Sequence, residues 1–161
     1  MNLYHSSPIK GLKVIQPQRT ICNDKYIGDF VFATKYKKLA LMYMLPKGVY
    51  ILMNINYSSK PYVLICGREE DVIKLDKGGS LYTFSDKGFI KTPQEKLDDY
   101  EMVSEQPVMP IKEIVYDKTI DVLMKIGVSI YFVNKKTFDL LMRSPKQDSL
   151  VEKLTKYKPL F

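Results

Sequence analysis

The chain contains a single histidine, His5, which is followed directly by Ser6 and Ser7. An imidazole can donate or accept a hydrogen bond and can exchange a proton near neutral pH, and two hydroxyls beside it add further hydrogen-bonding groups. The residues Leu3 and Tyr4 before it predict a short strand that presents these polar side chains at its end. This stretch is therefore either one corner of a binding pocket or a structural strand end.

Two carboxylates, Glu101 and Glu105, lie four residues apart in a segment with strand character. Residues an even number apart in a strand point to the same face, so we expect these two to lie together. A carboxylate in a cleft can stabilise positive charge in a transition state, whereas carboxylates on a strand face usually point to solvent. Tyr36 and Tyr43 have helical spacing, and they are either core residues or aromatic faces for a planar ligand.

Several kinds of catalytic and metal site are disfavoured. The sequence has no Gly-rich phosphate-binding loop, no HExxH zinc motif and no GxSxG nucleophile elbow. One histidine and two isolated cysteines, Cys22 and Cys66, do not make a zinc site, so no metal is expected. Cys66 lies in an apolar stretch, which disfavours a reactive Cys–His pair. Because we see no export signal, both cysteines are expected to be free thiols.

The bulk properties favour one cytoplasmic domain. A chain of 161 residues can bury a proper core, and no stretch approaches the ~20 apolar residues that span a bilayer, so no membrane partner is expected. The net charge is +7, from 25 Lys and Arg against 18 Asp and Glu. This charge favours anionic partners such as nucleotide phosphates or nucleic acid, or it reflects the solvated lysine-rich surface of a bacterial or phage-like protein.

The hydrophobic pattern predicts about eight strands and four helices. The predicted strands are residues 3–7, 29–33, 49–57, 62–66, 80–84, 100–105, 111–116 and 128–133. The predicted helix caps are Thr34, Asp117, Asn134 and Ser149. We expect a loop at 18–28, a solvated turn at 69–71, and Phe89-Ile90 to begin the hairpin partner of 80–84. Because most strands are linked by turns, the fold class is α+β with a mixed, mainly antiparallel sheet. We expect a core over 1–134 and a helical appendix of the same domain over 135–161.

Three segments resemble an ADP-ribosyltransferase-like domain, of the branch that includes poly(ADP-ribose) polymerases and rifampin ADP-ribosyltransferase. They occur in the family's order within residues 3–115, and they are Tyr4-His5-Ser6-Ser7, then Val31-Phe32-Ala33-Thr34 with Ala40 and Tyr43, then Ser104-Glu105-Gln106-Pro107. The resemblance implies a split sandwich of mainly antiparallel sheets with peripheral helices. It also implies that NAD, or a related nucleotide, is the substrate and that ADP-ribose is transferred to an acceptor that the sequence leaves open.

The resemblance implies a role for each matching residue. His5 would hydrogen-bond the adenosine ribose, Ser7 would support that ribose, and the backbone of Ser6 would meet the nicotinamide amide. Phe32 would help to form the cofactor site, and Tyr43 or Tyr36 would stack on the nicotinamide ring. Glu105, or alternatively Glu101, would hold the nicotinamide ribose and stabilise its developing positive charge.

Two positions depart from the family pattern. Ser6 stands where the family has glycine, so its side chain would crowd the nicotinamide, and Val31 stands where the polymerase branch has tyrosine. A catalytically inactive interaction module on the same fold is therefore one alternative, since fold does not imply function. A basic nucleic-acid-binding protein is the other, and it predicts binding that weakens steeply with salt.

Overall fold

The computed structural model describes residues 1–22, 24–54, 61–92, 100–146, 149–151 and 153, and these form an α+β protein. The strands are β1 (Asn2–Ser7), β2 (Gln18–Cys22), β3 (Lys25–Ala33), β4 (Tyr50–Asn54), β5 (Tyr62–Cys66), β6 (Gly79–Ser85), β7 (Ile90–Lys91), β8 (Met102–Ser104), β9 (Lys112–Tyr116) and β10 (Ser129–Val133). The helices are α1 (Lys37–Met42), α2 (Glu69–Leu75), α3 (Thr119–Lys125) and α4 (Lys135–Arg143), and residues 149–151 and 153 are also helical.

The three described sheets are mostly antiparallel, which confirms the predicted fold class. Their strand orders are β1-β6-β9, β2-β3-β8-β7 and β10-β5-β4, and only the pairing of β10 with β5 is parallel among those described. The split-sandwich arrangement stays a prediction. None of the helices in the described part of the chain is long and apolar enough to cross a membrane.

The chain forms two compact units from interleaved segments. The first unit consists of residues 1–44 and 78–117, and it contains α1 and the first two sheets. The second unit consists of residues 45–77 and 118–161, and it contains the third sheet with the other helices. The predicted division at residue 134 stays a prediction.

The first unit is built around β6, which lies between β1 and β9. Leu3 pairs with Phe84 across β1 and β6, and both side chains are fully buried together with Tyr82. The alternation of polar and apolar residues over 80–84 predicts a half-buried strand, but β6 is buried on both faces except at Ser85. A central strand is buried on both faces when other elements pack on both sides of its sheet. Because those elements are distant in the sequence, the residues of the strand alone do not predict this burial.

β1 and β3 meet at one point and then separate. Tyr4 and Thr34 exchange two backbone hydrogen bonds, with N···O distances of 2.7 and 2.9 Å. The prediction that Thr34 caps the following helix is wrong, because the N-cap is Tyr36 and α1 begins at Lys37. The Thr34 hydroxyl instead accepts a hydrogen bond from the Tyr36 N–H at 3.1 Å, which forms a turn ahead of the helix.

The second unit is organised around β5, whose Val63, Leu64 and Ile65 have no exposed surface. β5 pairs antiparallel with β4 and parallel with β10. The side chain of Asn134 accepts a hydrogen bond from the Thr137 N–H at 2.9 Å, which confirms it as the cap of α4. Cys66, at the end of β5, is a free thiol as expected.

The predicted cap of α3 is wrong. Asp117 lies before the N-cap, which is Lys118, and no side chain of the cap residue bonds the helix. The buried Asp76 does so from the end of α2: its two carboxylate oxygens accept hydrogen bonds from the N–H groups of Thr119 at 3.1 Å and Ile120 at 2.9 Å. A remote carboxylate therefore satisfies the free donors at the start of this helix.

Three other expectations are wrong. Residues 18–22 and 25–28 are not a loop, because β2 and the first part of β3 pair there in antiparallel order. The acidic run at 69–71 is the first turn of α2, where negative charge favours the helix dipole. β7 pairs with β8 and not with β6. The predicted strand beyond Asn54 and most of the predicted terminal helix lie outside the described residues.

Candidate functional site

A pocket of about 340 Å³ opens in the first unit where β1 and β3 separate. Its size is within the ordinary range for small-molecule sites, ~300–1,000 Å³. Strand β1, the end of β3, helix α1 and the residue before β8 supply its walls. The lining residues are Tyr4, His5, Ser6, Phe32, Ala33, Thr34, Ala40, Tyr43 and Glu101.

His5 is held by a hydrogen bond between its Nδ1 and the carbonyl oxygen of Phe32, at 2.7 Å. A carbonyl oxygen can only accept, so Nδ1 must carry the proton. Burial lowers the pKa of His5 below its ordinary value, and the bond to Phe32 opposes this only in part. The imidazole is therefore neutral at pH 7, and its Nε2 is a hydrogen-bond acceptor.

The backbone of Ser6 forms an open strand edge in the pocket. The N–H and C=O of Tyr4 both point towards Thr34, and backbone groups two residues apart in a strand point the same way. The N–H and C=O of Ser6 therefore point into the gap that opens between β1 and β3. A ligand with one hydrogen-bond acceptor and one donor side by side can bond to the N–H and C=O of Ser6, as a neighbouring β-strand would.

The hydroxyl of Ser6 is buried and has no hydrogen-bond partner among the described residues. A buried polar group without a partner lowers stability by ~1–3 kcal/mol. We expect Ser6→Ala to raise the free energy of unfolding by about 1 kcal/mol, as measured by urea denaturation. Ser7→Ala is the matched control and should lower it, because the Ser7 hydroxyl accepts a hydrogen bond from the Ile9 N–H at 3.1 Å. Equal effects of the two substitutions would contradict this account.

Tyr43 and Glu101 form a hydrogen-bonded pair in the pocket wall. The Tyr43 hydroxyl donates to Glu101 Oε1 at 2.7 Å, and only 8% of Glu101 is exposed. Burial, the negative charge of Glu101 and this hydrogen bond all raise the pKa of Tyr43, so its hydroxyl stays a donor at neutral pH. The register of β8 on β3 pairs Met102 with Ala33, which sets Glu101 at the end of this pairing beside the pocket.

Four residues that the sequence suggested for the site line the pocket, and three do not. His5, Ser6, Phe32 and Tyr43 line it. The Ser7 hydroxyl is engaged in the turn after β1, and the Tyr36 ring packs against Tyr100 with ring centroids 6.1 Å apart. Neither side chain is part of the lining.

Glu105 is the third, and it lies exposed in the bend after β8. The expectation that Glu101 and Glu105 share a face is wrong, because β8 spans only Met102–Ser104 and the strand alternation does not extend over both. Glu101, the alternative carboxylate, lines the pocket.

Sequence reasoning missed Tyr4, Ala33, Thr34 and Ala40 as lining residues, although all four belong to the segments that carried the family resemblance. The signal that could have found Ala40 is its small size on the buried face of α1, which leaves room beside β1. Thr34 could have been found from its position after the last residue of a strand, where loops and strand ends commonly carry binding residues.

The charge of the pocket favours a cationic ligand. Glu101 is the only acidic residue among the described lining residues, none of which is Lys or Arg, and His5 is neutral. The aromatic rings of Phe32 and Tyr43 offer flat apolar surface beside that carboxylate. Within the described part of the chain, no group of three or more His, Cys, Asp and Glu side chains could hold a metal ion.

No protein-family model, no curated protein and no solved structure matches this chain.

Proposed function

We propose that this protein binds NAD⁺ in the pocket between β1 and β3 and transfers its ADP-ribose to an acceptor. The observation that carries the proposal is the convergence of four groups on one pocket: neutral His5, the backbone edge of Ser6, the Tyr43 ring and the Glu101 carboxylate. Each of them matches a different part of NAD⁺, and the family resemblance of the sequence points to the same ligand.

The Ser6 edge matches the carboxamide of nicotinamide. A primary carboxamide carries an acceptor oxygen and an N–H₂ donor on the same carbon atom, and the Ser6 backbone offers one N–H and one C=O. Two parallel hydrogen bonds to a backbone edge orient a planar ring without needing a side chain. The hydroxyl of Ser6 is buried, so it is not an exposed group of the pocket surface.

His5 matches a ribose hydroxyl. Its Nδ1 is committed to the Phe32 carbonyl, so the neutral ring can accept a hydrogen bond only through Nε2. A ribose hydroxyl is a donor that fits this acceptor. Protonation of His5 would remove the acceptor, so binding should weaken in acid below the ordinary pKa range of histidine.

Glu101 matches the positive charge of the substrate and of the transition state. Oxidised nicotinamide is a pyridinium, and cleavage of the bond from ribose C1′ to its nitrogen moves positive charge onto the sugar. The electron pair of that bond passes to nicotinamide, which leaves neutral, and a nucleophilic atom of the acceptor bonds to C1′ and loses its proton to solvent. A carboxylate that is fixed and largely buried, as Glu101 is, stabilises this charge more than water would.

NAD⁺ titration by calorimetry, with nicotinamide release measured by chromatography, tests the proposal. NAD⁺ should bind at least about tenfold more tightly than NADH, whose dihydronicotinamide ring is uncharged. His5→Ala should weaken NAD⁺ binding by about tenfold, as expected for one lost hydrogen bond. Tyr43→Phe is the second variant: it keeps the ring and should retain binding, provided circular dichroism shows that both variants are folded.

Three results would contradict the proposal. Absence of NAD⁺ binding to the unmodified chain would reject the site. Equal affinity for NAD⁺ and NADH would reject the role of charge. If NAD⁺ binds but no nicotinamide is released, whether the acceptor is water, an added protein or an added nucleic acid, the transfer step is rejected. That result would favour the alternative of a catalytically inactive interaction module.

A further inference from the structure

The positive charge of the chain is concentrated in the second unit. Residues 45–77 and 118–161 contain 14 Lys and Arg against 8 Asp and Glu, whereas 1–44 and 78–117 contain 11 against 10. The second unit therefore carries +6 of the net charge of +7, and the pocket belongs to the other unit. A lysine-rich composition alone would distribute the charge over both units, so this asymmetry indicates a polyanionic partner of the second unit.

Helix α4 presents part of this charge to solvent. Its apolar side chains Phe138 and Leu141 are buried against the sheet of the second unit. Lys136, Leu140 and Arg143 follow at i, i+4 and i+7 and are exposed, so they form one strip along the opposite side. Neither Lys136 nor Arg143 forms an ion pair with another described residue.

An exposed aromatic ring lies beside the same helix. Tyr50, on the edge strand β4, is 65% exposed, and its ring is 6.2 Å from that of Phe138. Lys135 Nζ lies 5.2 Å from the centroid of the Tyr50 ring and also pairs with Asp139 at 2.5 Å. An exposed ring with a cation beside it is a combination that can hold an unpaired base and a neighbouring phosphate.

We propose that the second unit binds single-stranded nucleic acid on an α4 surface that runs around the helix, from Tyr50 and Lys135 beside the buried side to Lys136, Leu140 and Arg143 on the opposite side. Lys136 and Arg143 contact two phosphates of the same strand, and one base stacks on Tyr50. A helix that lies on a membrane inserts its apolar face into the lipid, but α4 turns Phe138 and Leu141 inward, which favours nucleic acid over an anionic bilayer. A ring that is open to solvent favours single strands, because bases in a duplex are already stacked.

Fluorescence anisotropy of the full chain with a labelled oligothymidylate of about 20 nucleotides tests this proposal across a salt series. Each phosphate contact on a single strand contributes about 0.7 to the slope of log affinity against log salt. Lys136→Gln/Arg143→Gln should therefore reduce the slope by about 1.4 and weaken binding by about tenfold or more at low salt. Tyr50→Leu should weaken binding by about tenfold with little change in slope, because it removes stacking and no charge.

The control is Lys87→Gln/Lys112→Gln, which removes the same charge from exposed positions of the first unit. It should change affinity by less than about twofold. If the control weakened oligonucleotide binding as much as Lys136→Gln/Arg143→Gln does, the proposal would be overturned. It would also be overturned if the protein bound phosphatidylserine vesicles but did not bind the oligonucleotide. NAD⁺ titration of the same variants should be unchanged, so the two proposals can fail separately.

Discussion

Glu101→Gln is expected to lower the kcat/KM of nicotinamide release by about 10²–10³, the usual effect of removing one preorganised electrostatic group. Glutamine has nearly the same shape and keeps an oxygen that can accept the hydrogen bond of the Tyr43 hydroxyl. The substitution therefore removes the negative charge and leaves the pocket wall in position. Because the charge on the sugar is largest in the transition state, kcat should fall more than NAD⁺ affinity.

Glu105→Gln is the matched control for Glu101. It makes the same chemical change four residues away, on an exposed side chain that does not line the pocket. Its kcat/KM should stay within about twofold of the unmodified chain. If kcat/KM fell equally in the two variants, or fell further in Glu105→Gln, the assignment of the catalytic carboxylate to Glu101 would be contradicted.

Asp76→Ala is expected to lower the free energy of unfolding by about 3 kcal/mol, as measured by urea denaturation. The residue is 1% exposed, and its carboxylate accepts hydrogen bonds from two N–H groups at the start of α3. Alanine would remove both of these hydrogen bonds, which in the folded protein replace the hydrogen bonds that the two N–H groups make to water in the unfolded chain. The negative charge at a helix N-terminus would also be lost.

Asp76→Asn should give an intermediate loss, since its amide retains one of the two acceptor oxygens. Asp121→Ala is the control, because Asp121 lies in the first turn of the same helix but is exposed. Its effect should be within about 0.5 kcal/mol. If Asp121→Ala were as destabilising as Asp76→Ala, general helix electrostatics would explain the loss and the specific cap would not.

Features that depend on neighbouring residues could be predicted from the sequence. The strand that carries His5, the buried strand β5 and the cap at Asn134 all follow from side-chain patterns within a few residues. The resemblance to the ADP-ribosyltransferase-like family brought the segments around His5, Phe32 and Tyr43 together, and all three residues line one pocket.

Features that depend on distant partners could not be predicted. The choice between Glu101 and Glu105 rests on where β8 begins and on the Tyr43 hydroxyl, which is 58 residues from Glu101. A local rule selected Asp117 as the cap of α3 because it is adjacent, although Asp76 reaches the helix from 43 residues away. The two interleaved units were not predicted either, since no linker-like composition marks the points where the chain passes between them.

The contact between Asp76 and α3 has a consequence for the topology of the chain. Residues 78–117 belong to the first unit, and they interrupt the second unit in the sequence. Asp76 lies just before this segment and Thr119 just after it, so the hydrogen bond from the Thr119 N–H to the Asp76 carboxylate joins the two ends of the segment within the second unit. The entropy of closing such a loop rises only with the logarithm of its length, by about 0.6 kcal/mol for each doubling. For the second unit alone, the entropic cost of closing this segment therefore depends little on how many residues it contains, and the cap of α3 requires only that the two ends of the segment stay together.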